Sequence, residues 1–109
     1  MIDMLIAEPE MLEVLLSAYT FHAEAFYEND GSVVVSLDEI ALVETGVDES
    51  DAVHKMAQAI LEYSEDYRND LSYWARGNGK AHLPYVFKAL LLNDAEKIME
   101  LIVCRRGKI

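Results

Sequence analysis

The longest regular alternation of apolar and polar positions begins near residue 48. Val53, Met56, Ala57, Ile60, Ser64, Tyr67, Leu71, Trp74 and Ala75 recur every 3.6 residues, which gathers them on one stripe of a helix. Asp48 or Ser50 can supply the side-chain oxygen that accepts from the free N–H groups of the first turn. The pattern predicts a helix running to Arg76, or one broken near Asn69-Asp70, since so long a helix is unusual in a small domain. Upstream, Leu12, Leu15, Leu16, Tyr19, His22, Ala23 and Phe26 form a second stripe. Pro9 with Glu8, Glu10 and Glu13 suits a helix start, because proline lacks only an N–H that would be unpaired there and the acids oppose the positive end of the helix. A helix over about Pro9 to Glu28 is therefore predicted, stopped by Asn29-Asp30-Gly31.

The intervening segments are shorter. Val33-Val34-Val35 is β-branched and favours extended chain. No second segment offers an evident partner strand, so the run reads as an extended linker, or as a short strand that pairs on assembly. Ser36-Leu37-Asp38-Glu39 spells a capping box and predicts a short helix to about Glu44, ended by Gly46. Gly77-Asn78-Gly79 is a loop, and Pro84 opens a short helix that is apolar nearly all round and so belongs deep in the core. Asn93-Asp94 breaks and recaps the chain before a last helix, about Ala95 to Arg106, with Arg105 and Arg106 at its negative end. The expected fold is all-α, a single compact bundle of four to six helices formed by residues 1–109 as one domain.

Composition narrows the function. With 109 residues, 52% of them apolar, the chain can bury one core but cannot form two lobes around a catalytic cleft. Nine Lys and Arg against twenty Asp and Glu leave a formal charge of −11, which repels nucleic-acid phosphates and anionic membrane surfaces. The charge is uneven: Met1 to Tyr67 hold sixteen acids and one base, Lys55, for −15, and Arg68 to Ile109 hold eight bases and four acids, for +4. Such a split suits an acidic face meant for a basic partner, or a merely solvated surface. The lone Cys104, a first segment without the positive charge of a signal peptide and the lack of an apolar run of roughly 18 residues favour a cytoplasmic, membrane-free protein.

Catalytic motifs are few. Glu62, Glu65, Asp66 and Asp70 lie at spacings that could converge on Mg²⁺ along a helical face, although a solvated face is built the same way. His22, His54 and His82 lack a second histidine or cysteine three or four residues away, so no local chelating pair exists and no metal or cofactor is expected. No serine sits in a nucleophile elbow, and Gly77-Asn78-Gly79-Lys80 is not a phosphate loop, although Arg76 and Lys80 could hold an anion. Cys104 reads as structural. Tyr63, Tyr67, Tyr73 and Trp74 crowd among those acids and cannot all face one core stripe. Exposed tyrosine beside carboxylates is the composition of an interface with a basic protein, the rival arrangement being Tyr67 and Trp74 in the core.

These features point to a non-enzymatic acidic inhibitor. In its most concrete form it is an immunity protein that neutralises a bacterial nuclease toxin by covering the basic site where that toxin holds RNA or DNA. A phage-type phosphate mimic directed at a nucleic-acid-binding complex shares the same physics. An all-α Mg²⁺-dependent nucleotide hydrolase using Glu62, Glu65, Asp66 and Asp70 is a further alternative, as is a structural subunit that assembles through its own charge asymmetry, acidic half against basic half, for instance as a homodimer. The expected contact residues are Glu62, Tyr63, Glu65, Asp66, Tyr67 and Asp70, then Asp38, Glu39, Asp48, Glu49 and Asp51. No motif ties the chain to a named family.

Overall fold

A computed structural model describes residues 17–107, and it replaces the expected all-α bundle with a mixed α/β fold. Strands β1 (Phe21–Tyr27), β2 (Val33–Leu37), β3 (Leu42–Gly46) and β4 (Ile102–Arg106) form one sheet in the order β3-β2-β1-β4. The first three make an antiparallel meander in which Ala25 faces Val35 and Val35 faces Glu44. β4 joins parallel to β1, with Ala23 beside Cys104. A parallel pair needs a long crossover, and the helices α1 (Glu49–Asn69), α2 (Leu71–Trp74), α3 (Leu83–Leu92) and α4 (Ala95–Leu101) supply it.

The helix expected over Pro9 to Glu28 is overturned where it can be observed. Phe21, Ala23 and Ala25 are buried and alternate with the less buried His22 and Glu24, a period of two. Residues 21–27 satisfy both the helical and the strand spacing, and pairing with β2 on one side and β4 on the other decides between them. The part of that prediction before residue 17 lies outside the described residues. Asn29-Asp30-Gly31 still turns the chain, but it closes a hairpin: the Glu28 N–H donates to the Ser32 carbonyl (2.9 Å), and Gly31 takes φ 90°, where a Cβ would be strained. The extended reading of Val33-Val34-Val35 holds within β2, whose partners belong to the same chain.

Two other helices are corrected. The box at Ser36-Leu37-Asp38-Glu39 caps nothing: the Ser36 hydroxyl donates to Asp38 Oδ1 (3.1 Å) and not to the backbone. Asp38–Ile40 makes one 3-10 turn, Ala41 enters the left-handed region at φ 57°, and β3 follows in place of a helix to Glu44. The last helix ends at Leu101, five residues before the expected end, because Ile102-Val103-Cys104 favours extended chain and β1 offers a free edge. Arg105 and Arg106 are thus strand residues and not helix-end charges.

Locally encoded features stand. Asp48 caps α1, accepting from the Asp51 N–H (2.8 Å), and α1 ends at Asn69, at the predicted break near Asn69-Asp70. Pro84 sits in the first turn of α3. Asn93 closes α3 at φ 46°, and the Asp94 carboxylate accepts from the N–H groups of Glu96 and Lys97 at the start of α4. The core is the seam between α1 and the sheet, where Ala52, Met56, Ala57 and Ile60 meet Phe21, Ala23, Ala25, Val33, Val35 and Leu37. Each large apolar side chain buried there contributes roughly 1.5–3 kcal/mol. β3 runs close under the start of α1: a Cβ on Gly46 would lie 2.3 Å from the Ala52 nitrogen, so only glycine fits. α3 is not deep in the core as expected, since only Val86, Lys88 and Ala89 are buried. Among the described residues no helix is long and apolar enough to cross a membrane.

Candidate functional site

The C-terminal end of α1 builds a rigid aromatic cluster. Tyr67 is fully buried, and its hydroxyl donates to the Gly79 carbonyl (2.8 Å), tying the 3-10 turn Gly77–His82 to the helix. Gly79 permits that approach, because a Cβ there would stand 2.0 Å from the Trp74 carbonyl oxygen. One turn earlier, half-buried Tyr63 reaches His82, with 2.6 Å between its hydroxyl and Nδ1. Burial holds the His82 pKa below its ordinary value and raises that of Tyr63. Near neutral pH the imidazole is therefore uncharged, and its tautomer sets which of Nδ1 and the Tyr63 hydroxyl donates.

The rings interlock edge to face. Tyr63 lies 5.5 Å from Trp74, 5.9 Å from Tyr67 and 5.8 Å from His82 between centroids, and Tyr73 lies 5.0 Å from Trp74. The Arg76 guanidinium covers the Tyr73 ring at 5.3 Å. Between them opens a cleft of about 360 Å³ lined by Tyr63, Tyr73, Trp74, Arg76, Gly79 and His82. Of the four aromatics singled out in the sequence, only Tyr67 is wholly inside. It supports the cluster from behind, and its side chain offers a partner no surface.

The acids beside the cluster are placed differently from one another. Glu62, Glu65 and Asp66 are exposed on α1, on the side away from its buried Ile60, Ser64 and Tyr67. Asp70 is exposed too, but it lies past the helix end as the C-cap, so the ridge Glu62-Asp66-Asp70 that a metal site would need is broken. Among the described residues no three His, Cys, Asp or Glu side chains converge as a metal site. The ion pairs found among the described residues are His22 with Glu39 and Lys55 with Asp51, so none of these four carboxylates is spent internally in that way.

The second group of acids serves the fold. Glu39 accepts from the His22 N–H (3.2 Å) and pairs with its ring. Asp48 caps α1, and Asp51 accepts from the Val47 N–H (2.9 Å), a bond that, with Lys55, lowers its pKa. Glu49 accepts from the Tyr27 hydroxyl. Asp38 accepts from Ser36. The strand residue Cys104 lies near Glu49, and burial with that carboxylate pushes its thiol up to about 11, which keeps it protonated and unreactive. The two arginines that follow it do not offset this; Arg106 instead stacks on the Tyr27 ring at 4.4 Å.

Sequence reasoning located the aromatics and acids of α1 but missed Gly79 and His82 as parts of the same site. Their ties span twelve and nineteen residues, and no local spacing announces them.

Residues 3–104 match the model of the PHD-like family, described as the antitoxin of a toxin-antitoxin (TA) system, RelE/RelB. A crystal structure from Syntrophomonas wolfei subsp. wolfei, of the antitoxin part of a proposed toxin/antitoxin system, is similar at 30% identity with a TM-score of 0.82. That match covers 92% of this chain and 72% of the other. No curated protein matches the chain.

Proposed function

The chain belongs to the PHD-like antitoxin family, and we infer that it neutralises its toxin by laying the acid-rimmed aromatic end of α1 over a basic substrate-binding surface. Membership makes a toxin its partner and neutralisation its activity. One observation carries the finer reading: Glu62, Glu65 and Asp66 stand exposed beside an open cleft in which Tyr63 is tied to His82, Tyr67 anchors Gly79 from behind, and Tyr73 and Trp74 are held by edge-to-face ring contacts. Prelocked aromatic anchors lose little conformational entropy on binding, so more of their burial appears as affinity. Unpaired carboxylates around them steer a positive surface into place.

A nuclease fits this description best among toxins, because a site that holds RNA or DNA must oppose the charge of phosphates. Covering it in the cytoplasm, where the substrate is, neutralises the toxin without chemistry. Tyr63, Tyr73 and Trp74 are the proposed anchors, and Glu62, Glu65, Asp66 and Asp70 the proposed charged rim. Asp38, Glu39, Asp48, Glu49 and Asp51 add to the long-range field, and their first duty is to the fold. Hydrogen exchange of the toxin complex tests the placement: amides of residues 62–82 are expected to slow on binding, and protection confined to the sheet would refute it.

A further inference from the structure

The cleft at the end of α1 already holds a cation of the chain's own. Of the residues that line it only Arg76 is charged, since the His82 imidazole is neutral and the Tyr63 hydroxyl keeps its proton. The Arg76 guanidinium lies 5.3 Å from the centre of the Tyr73 ring and, among the described residues, makes no ion pair. Glu62, Glu65, Asp66 and Asp70 stand exposed at the same end of α1, yet the guanidinium sits on the ring and on none of their carboxylates. The face of an aromatic ring is electrically negative, and a guanidinium or ammonium placed over it is held electrostatically. Tyr73 is 54% exposed, so a cation from outside can reach it.

We propose, on the reading that the toxin covers this end of α1, that the cleft is a socket for one basic side chain of the toxin, an arginine or a lysine. Arg76 is its internal stand-in, displaced from the Tyr73 ring when the toxin docks. A cation is favoured over an anion because the site already seats a guanidinium, and because the exposed acids beside it attract positive charge and repel carboxylates and phosphates. Size limits the occupant. A cleft of about 360 Å³ is at the small end of ligand pockets, so it takes a single side chain and not a folded segment. Displacing Arg76 costs little, since one exposed cation–ring contact is worth only a small factor in affinity. The backbone need not follow: the Arg76 carbonyl accepts from the Gly79 N–H (3.1 Å), and the Gly79 carbonyl is held by Tyr67 (2.8 Å). The exchange is therefore a change of side-chain rotamer on a fixed turn.

Titration of the free full-length chain with N-acetyl-arginine amide at fixed ionic strength, followed in the fluorescence of Trp74, tests the socket without the toxin. The expected result is a saturable change with a midpoint on the order of 10 mM, and none with the uncharged isostere N-acetyl-citrulline amide. Arg76→Gln should tighten the midpoint by about two- to five-fold, because the probe no longer displaces a resident cation. A purely structural role for Arg76 gives no such gain. Tyr73→Leu should abolish the response. If circular dichroism shows that Tyr73→Leu does not fold, Tyr73→Phe takes its place and should bind the probe as the wild type does, since the ring face remains. No saturable response, an equal response to the citrulline probe, a response to N-acetyl-glutamate in its stead, or weaker probe binding by Arg76→Gln would each overturn the proposal. Hydrogen exchange of the toxin complex separates this from the docking face. Slowed exchange at residues 62–82 with no arginine response keeps the face and removes the socket, whereas an arginine response without that slowing removes the toxin as its occupant.

Discussion

Replacing Glu62 and Asp66 together by lysine is expected to weaken toxin binding by about a hundred-fold or more, most of it through slower association. On the proposed positive surface of the toxin, each replacement removes an attraction and adds a repulsion. Two such changes together reach about 3 kcal/mol, which corresponds to that factor. The variant should fold normally. Both residues are exposed, and substitutions at such sites usually stay within about 0.5 kcal/mol. They are also four apart on α1, so one like-charged pair replaces another and the helix gains no new repulsion. Surface plasmon resonance with the purified toxin, alongside a urea melt of the free variant, checks both halves. Equivalent substitutions at Asp48 or Asp51 cannot serve, because those carboxylates hold the Asp51 and Val47 N–H groups at the start of α1 and their loss would damage the helix itself.

Tyr67 separates support from contact. Tyr67→Ala is expected to destabilise the fold by about 4 kcal/mol, the range seen when a large buried aromatic is truncated, and to leave the Gly79 carbonyl without its donor. In a domain whose whole stability is about 5–15 kcal/mol, that brings the protein near its unfolding threshold. Tyr67→Phe keeps the ring and loses only the hydroxyl bond, at about 1 kcal/mol, and its affinity for the toxin should match the wild type once folded. Urea midpoints and toxin affinity measured on the same samples decide the matter. A Tyr67→Phe variant with an unchanged midpoint and much weaker binding would make Tyr67 a contact residue after all.

What the sequence reveals follows the range of the interactions involved. The period and Asp48 cap of α1, the proline start of α3 and the Asn93-Asp94 junction are set by residues within a turn or two of each other, and all were legible. The sheet was not. β1 and β4 are about eighty residues apart in the chain and meet only because α1 to α4 return it to the same place. Phe21–Tyr27 also carries a helical spacing by coincidence, and Ile102–Arg106 continues a helix without a breaker, so neither shows a strand until its neighbour is known. The site divides in the same way. Tyr63, Tyr73 and Trp74 with Glu62, Glu65 and Asp66 were visible as a local cluster. The inward turn of Tyr67 follows from its place on the α1 stripe and was open in the sequence as the rival arrangement, whereas the way His82 and Gly79 complete the cleft depends on how the 77–82 turn docks on α1.

The most direct test of acid-steered neutralisation is the association rate of wild-type protein with its toxin, measured by stopped flow in the fluorescence of Trp74 across a series of salt concentrations. Trp74 is the sole tryptophan of the chain and lines the cleft itself. Steering by Glu62, Glu65 and Asp66 requires the rate to fall by about ten-fold or more between roughly 0.05 M and 0.5 M salt, as the screening length contracts to a few ångströms. A rate that stays flat across that range would contradict a basic toxin surface as the target of this face.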